Sequence, residues 1–174
     1  MITYYDTISN DYDSMYEIIQ KQKFTHCKQL IQPIDWAIDL GGGTGLLSEW
    51  IEIPLINVDI SFQMLLQGIQ SKRYFLALCC DIEHLPIRKN SITSLFSFSV
   101  FQNIRHKAKA LQRVTSIMDY QYNLVLITIL NKENFVSEFK STLDNQKIQY
   151  QLIQNLVEDS AFYFQIPLSS SSGS

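Results

Sequence analysis

The sequence predicts an α/β fold, a three-layer α/β/α sandwich whose sheet has about seven strands, mostly parallel, with an antiparallel C-terminal hairpin strand. Three observations predict it. Short apolar runs alternate with amphipathic helical stretches along most of the chain. A glycine cluster stands between the first of these runs and the helix after it. The last two apolar runs have no helix-length segment between them, so they must pair as a hairpin. With 174 residues, 46% of them apolar and 18% charged, the chain reads as a single domain over 1–168. Residues 1–32 form an N-terminal cap region of that domain, and 169–174 are a flexible serine-glycine tail.

The elements follow in order. Over residues 12–31, Met15, Ile18, Ile19, Cys27, Leu30 and Ile31 recur near helical spacing with Lys21, Gln22, Lys23 and Lys28 between them, and Pro33 ends the helix. Residues 35–40 form a short strand that runs straight into Gly41-Gly42-Gly43-Thr44-Gly45; Leu46, Leu47, Trp50 and Ile51 follow on a short helix. Strands at 55–59, 75–80, 92–99 and 124–130 alternate with helices at 61–70, 107–118 and 133–143, the rhythm of a parallel sheet covered on both faces. The runs 147–153 and 161–166 then pair across 155–160.

A net charge of −3 argues against nucleic-acid binding through bulk electrostatics. Cys27, Cys79 and Cys80 are an odd set, two of them adjacent, which fits a reducing cytoplasm and matches no zinc pattern. The N-terminus is polar and acidic rather than a signal peptide, and no long apolar run is present, so a cytoplasmic protein without membrane attachment is expected.

Of six glycines, four lie within residues 41–45, where the backbone must turn tightly or come close to something. A phosphate-cradling loop needs Lys and then Ser or Thr after its last glycine, and Leu46-Leu47 stand there. A dinucleotide fingerprint starting at Gly41 needs a small residue where Leu46 stands. A loop with no ligand would carry the entropic cost of four glycines with no expected packing return.

The segment Ala37-Ile38-Asp39-Leu40-Gly41-Gly42-Gly43-Thr44-Gly45 resembles the first motif of class I S-adenosylmethionine-dependent methyltransferases, an acid two residues before a G-x-G-x-G loop. A carboxylate suits a cofactor carrying an ammonium and a sulfonium, whereas it would repel a pyrophosphate. Asp59 ends the second strand, and Asp81-Ile82 follow the third at the place of the family's acid-hydrophobic pair. The resemblance covers about residues 36–130. It implies a Rossmann-like fold and an enzyme that moves a methyl group from S-adenosyl-L-methionine to an oxygen or nitrogen. By the same resemblance Asp39 positions the cofactor's amino group, Gly41, Gly42, Gly43 and Gly45 admit its close approach, and Asp59 takes the ribose. Ile60 and Met64 flank the adenine, Asp81 holds its amino group and Ile82 covers it. Core packing also fits Ile60, Met64 and Ile82, and helix N-capping fits Asp59 and Asp81.

The opening Tyr4-Tyr5-Asp6-Thr7-Ile8-Ser9-Asn10-Asp11-Tyr12-Asp13 is similar to the start of UbiE-like (methyltransferase type 11) enzymes, which implies that Tyr12 or Tyr5 reaches the methionine carboxylate. Ser97 to Ile104 stands where that family lines the transferring methyl, and Ser97 is assigned to the cofactor there. No Asn/Asp-Pro-Pro-Tyr/Phe and no Pro-Cys nucleophile is present, and Gln102 stands where relatives carry a histidine, so no catalytic residue is assigned. His106 as a base competes with an ordinary loop histidine, and Arg105, Lys107, Lys109 and Arg113 as an anion guide compete with a solvated helix face. No metal is expected. The acceptor stays open between small molecule, RNA and protein; the short chain leaves room for a partner subunit or homodimer. A catalytically silent cofactor-binding scaffold is the alternative, and an NAD-type oxidoreductase a third.

Overall fold

In the computed structural model, which describes residues 2–31, 35–132 and 134–166, two helices precede the sheet: α1 (Ile2–Ile8) and α2 (Tyr12–Cys27). There follow β1 (Ala37–Leu40), a 3-10 turn (Leu46–Trp50), β2 (Leu55–Asp59), α3 (Phe62–Gln70), β3 (Leu76–Cys79), β4 (Ser94–Phe98), α4 (Lys107–Ile117), β5 (Leu124–Leu130), α5 (Phe135–Asn145), β6 (Gln151–Leu156) and β7 (Asp159–Phe164), with two further short 3-10 turns at Ile82–His84 and Phe101–Asn103. The strands form one 7-stranded sheet in the order β3-β2-β1-β4-β5-β7-β6. Five of them run parallel; β7 is antiparallel to both β5 and β6. This is the predicted architecture.

Two apolar layers hold it together. On one face Ile38, Leu40, Val58 and Leu95 pack with Ala110, Leu111, Val114 and Ile117 of α4 and with Phe139 and Leu143 of α5. On the other, Ala37, Leu55, Phe96, Phe98 and Leu126 pack with Phe24 and Cys27 of α2 and Leu46 and Leu47 of the 3-10 turn. β1 is buried at all four positions, as a central parallel strand must be. Among the described residues no helix is long and apolar enough to cross a membrane.

Several boundaries differ from the sequence expectation. The first long helix stops at Cys27, where the Lys28 N–H donates to Thr25 O at 3.3 Å; Pro33 and the tail lie outside the described residues. Its inward stripe is only in part the apolar one predicted: Cys27 is fully buried and Leu30 and Ile31 beyond the helix pack beside it, but Met15 is 52% and Ile18 74% exposed. Tyr12, Tyr16, Gln20 and Lys23, spaced by four, four and three residues, line a cleft instead. This part of the helix roofs the cleft, while Phe24 and Cys27 nearer its end pack into the second apolar layer. The final hairpin is shifted: its turn is Val157-Glu158, with Val157 at φ 61°, and most of the predicted connection is strand. An irregular register between Ile153 and Leu156 absorbs the difference.

Candidate functional site

β1 is the strand where the sheet order reverses, with β2 on one side and β4 on the other. Ligands of open α/β sheets bind beyond the carboxyl ends of the strands at such a point. A cleft of about 510 Å³ opens there. Gly41 and Gly43 floor it; Asp59, Ile60, Met64, Asp81 and Ile82 form one wall. Phe98, Ser99, Val100 and Gln102 form the other, and Tyr5, Tyr12, Tyr16, Gln20 and Lys23 of the two leading helices cover it.

The glycine loop is shaped by the chain's own side chains. Gly41 and Gly43 have φ of 71° and 54°, a region that residues with a Cβ rarely enter. Gly42 is needed for space: a Cβ there would stand 1.8 Å from Asn57 Oδ1 and 2.5 Å from Asp39 Oδ2. Val100, Met64 and Tyr74 likewise crowd Gly41, Gly43 and Gly45. The glycines therefore have a packing return that the sequence did not reveal. Asp39 and Asn57 face each other across the β1–β2 register, and Asn57 Nδ2 donates to Gly43 O at 2.9 Å, pinning the loop from beneath.

Asp59 pins it from the side. One carboxylate oxygen accepts the Gly43 N–H at 2.9 Å and the other the Ser61 N–H at 2.8 Å. Burial pushes the Asp59 pKa up, while these backbone donors oppose the shift. Each oxygen retains lone-pair capacity toward the cleft. Ser61 is itself the N-cap of α3, its Oγ accepting the Met64 N–H at 3.2 Å, so Asp59 is spared the capping role. Asp39 is 3% exposed, and burial, with the Asp59 charge second, raises its pKa to about 8.

Asp81 lines the cleft and also caps a short 3-10 turn, accepting the Glu83 N–H at 2.8 Å. Ile82 is 8% and Met64 2% exposed, while Ile60 at 44% stands open at the cleft wall. Asp39, Gly42 and Tyr12 line a smaller hollow beside the loop, with Gln20 and Thr44. Gly45 faces Tyr74. Ser97 is fully buried and donates to Leu40 O at 2.9 Å, tying β4 to β1, so the structure places it behind the cleft wall rather than in it.

The acids of the repeated Tyr-Asp opening tether the cover. Asp6 Oδ1 accepts from Ser61 Oγ at 2.6 Å, and Asp13 accepts from Thr44 Oγ1 at 2.5 Å and from Arg73. Sequence reasoning looked to the tyrosines and missed these acids, although their repeated placement after tyrosine was visible.

It also missed a buried polar cluster at the end of β4. Lys23, 1% exposed, donates to Ser99 Oγ at 2.7 Å and to Glu158 at 3.0 Å, and lies 3.1 Å from Asp159, which is fully buried. Asp159 Oδ2 also accepts from Ser99 Oγ at 2.6 Å and Thr128 Oγ1 at 2.5 Å. A lysine on a polar helix carries no sequence signal of burial. Of the four basic residues considered above, Arg105 alone lines the cleft. Arg113 donates to Leu85 O and Ile87 O, Lys107 lies 3.4 Å from Glu138, and Lys109 lies 3.6 Å from Glu83. His106 is exposed at the start of α4 and does not line the cleft. No group of residues suited to hold a metal occurs among those described.

A family model described as a methyltransferase domain matches residues 38–119. Malonyl-[acyl-carrier protein] O-methyltransferase of Hamiltonella defensa subsp. Acyrthosiphon pisum (strain 5AT) is 36% identical over 70 residues, 38% of this chain, and the match spans 27% of that protein's length. Among solved structures, the Haloferax volcanii complex of a methyltransferase activator with a protein described as a methyltransferase aligns with a TM-score of 0.79 at 13% identity, over 94% of this chain and 97% of the other. A Methanococcus maripaludis structure described as S-adenosyl-L-methionine-dependent methyltransferase aligns at 0.75 with 17% identity, over 95% and 92%. One from Aquifex aeolicus aligns at 0.68 with 14% identity, over 82% and 88%. The fold is that of class I S-adenosylmethionine-dependent methyltransferases, and the resemblance read from residues 36–130 is borne out over the segment that the family model spans.

Proposed function

We propose that this chain, which carries a class I methyltransferase domain, binds S-adenosyl-L-methionine in the cleft above Gly41 and Gly43 and transfers its methyl group to an acceptor entering beside Ser99 and Gln102. When bound, the cofactor supplies an electrophilic methyl on sulfur: the acceptor's lone pair forms the new bond to carbon while the carbon–sulfur pair returns to sulfur, leaving S-adenosylhomocysteine. The residues present fit such a ligand. The cleft, at about 510 Å³, lies in the size range of small-molecule sites. Asp59 would accept the ribose hydroxyls through the lone pairs left over from its backbone bonds, and Ile60, Met64 and Ile82 would give the adenine apolar faces with Asp81 at its amino edge. Buried Asp39, near the loop from below, would ionise more readily beside an ammonium group.

The single observation that carries this reading is the junction of Asp59 with the Gly43 N–H at the cleft floor, which joins a carboxylate to the loop that must admit the ligand. Calorimetric titration with S-adenosylmethionine, S-adenosylhomocysteine and NAD tests it. Binding of the first two without the third supports the reading; binding of NAD alone defeats it. Orientation in a closed cleft supplies rate without a base, by up to roughly 7 to 11 kcal/mol in favourable cases, which fits the absence of a histidine among the described cleft-lining residues.

A partner subunit is a second reading. β3 is an edge strand to which another strand can add, and Phe75 just before it is 70% and Leu76 at its start 50% exposed. The Haloferax volcanii neighbour is bound to an activator. Light scattering alone and after co-purification, with Leu76→Lys as control, tests whether that edge is used.

A further inference from the structure

The charges that line the cleft are unevenly engaged. Its described carboxylates all have partners: Asp59 holds the Gly43 and Ser61 N–H groups, Asp81 the Glu83 N–H, Glu83 the His106 N–H at 3.2 Å, and Glu158 the Lys23 ammonium. Of the cations that line it, Lys23 is spent on Ser99, Glu158 and Asp159. Arg105 and Lys132 are exposed and form no hydrogen bond or ion pair with any described residue, Glu158 included. Their place follows from sheet order. The wall that carries Asp59 and Asp81 belongs to β2 and β3, on one side of β1; β4 and β5 lie on the other, paired with Phe98 opposite Thr128. Arg105 comes after the turn that follows β4, and Lys132 just after β5, so both stand at the same end of the sheet on the side away from Asp59 and Asp81. Arg105 also leads into α4, whose first turn holds no acid, so the positive end of that helix adds to the field there. Lys107 and Lys109 of that turn are met by Glu138 and Glu83, which leaves the charge of Arg105 uncancelled.

Unpaired cations beside paired carboxylates make this side of the cleft a place for an anion. We propose that the methyl acceptor is a small molecule bearing a carboxylate or phosphate apart from the atom that is methylated, and that Arg105 and Lys132 hold that group on the β4–β5 side of the cleft. This rests on the methyltransferase reading above and narrows it. Two cations suit one anionic group. A nucleic acid would need a longer run of them along its backbone, whereas the chain's net charge is −3 and Lys107, Lys109 and Arg113 are engaged elsewhere. A cationic acceptor would be repelled by both side chains. Anchoring the acceptor by a remote charge leaves its methylated atom free to face the sulfur, so that binding energy is spent on orientation. In the transfer that atom's lone pair forms the bond to the methyl carbon, the carbon–sulfur pair returns to sulfur, and the proton of the methylated group passes to water. Arg105 and Lys132 stay charged throughout and act by binding alone.

The test uses benzoate, phenyl phosphate and benzamide, ring-bearing probes with and without charge. Each is titrated into the protein saturated with S-adenosylhomocysteine, followed by amide chemical shifts. At least one anion should bind more tightly than benzamide, and which one does so separates carboxylate from phosphate. Arg105→Gln and Lys132→Gln should each weaken that anion about two- to fivefold, the worth of an exposed ion pair, and added salt should do the same. Arg88→Gln, the same change of charge at an exposed residue outside the cleft, should leave it unchanged. Affinity for S-adenosylhomocysteine should be equal in all four proteins. Benzamide binding as well as both anions overturns the inference, and so does an equal loss in Arg88→Gln. Weaker S-adenosylhomocysteine binding in Arg105→Gln and Lys132→Gln would assign the cations to the cofactor's own carboxylate, and oligouridylate binding more tightly than either small anion would assign them to RNA; each overturns it. A second measurement adds 13C-methyl cofactor and the protein to heat-treated cell extract: a labelled small molecule retained by anion-exchange resin supports the assignment, and a neutral or cationic one defeats it. Failure to bind S-adenosylhomocysteine at all would instead remove the methyltransferase reading, so the two failures are distinct.

Discussion

The carboxylate of Asp59 and the backbone N–H of Gly43 are joined by a hydrogen bond of 2.9 Å, which links the end of β2 to the loop after β1. Gly43 follows β1 and Asp59 ends β2, adjacent parallel strands whose register sets Leu40 beside Val58, so sheet pairing brings the loop and the carboxylate together. One acid thereby shapes the loop and faces the cleft it encloses.

Gly42→Ala is expected to destabilise the protein by about 1–3 kcal/mol, as overpacking of a buried site does. The added methyl would meet Asn57 Oδ1 and the Asp39 carboxylate together, neither of which is the free end of a long chain. Urea unfolding measures it, with Asn57→Ser in the same background expected to recover part of the loss.

Asp39 sets a pH dependence. Its pKa rises from 3.8 in the ordinary case to about 8 in the fold, so the native state holds a proton that the unfolded chain releases. Folding stability from this group is therefore greatest below about pH 4 and is lost progressively as pH rises toward 8. Asp39→Asn, uncharged throughout, should flatten the fall in unfolding free energy between pH 5 and 8, with any remaining fall coming from groups such as Asp59, whose pKa burial also raises. Denaturant midpoints of both proteins across that range decide it.

Lys23 and Asp159 are a buried pair whose disruption strands a charge. Lys23→Met alone should cost about 3–5 kcal/mol, and adding Asp159→Asn should recover a large part of it, since the second change removes the unpaired carboxylate. A double-mutant cycle by thermal and urea unfolding gives the coupling. Additive losses would show that the pair does not act as a unit.

The cover is expected to loosen when its acid tethers are cut. Asp13→Asn with Asp6→Asn removes the charged partners of Thr44, Arg73 and Ser61. Hydrogen exchange over residues 4–27 should accelerate about tenfold or more, with the central strands unchanged.

Most of the sheet was legible because parallel strands buried on both faces write continuous apolar runs, and the glycine cluster marked its functional end. The direction of α2 was not legible. Met15 and Ile18 have helical spacing and yet face outward, because what lies beneath this part of the helix is a cleft that Tyr12, Tyr16, Gln20 and Lys23 line. The hairpin turn at Val157-Glu158 was missed because a valine at positive φ defies turn preference. In the site, the glycines and the acids at 59 and 81 could be read from motif spacing. Asn57, Lys23 and Asp159 could not, since their roles arise from contacts between residues far apart in the chain.

The central claim is that Asp59 and the glycine loop hold S-adenosylmethionine. Calorimetry with the wild-type protein and with Asp59→Ala tests it most directly. Two charge-assisted hydrogen bonds are at stake, so the account predicts one cofactor molecule per chain for the wild type and at least about a hundredfold weaker binding for a folded Asp59→Ala variant. Equal affinity in the two proteins, or no binding by the wild type, would contradict it.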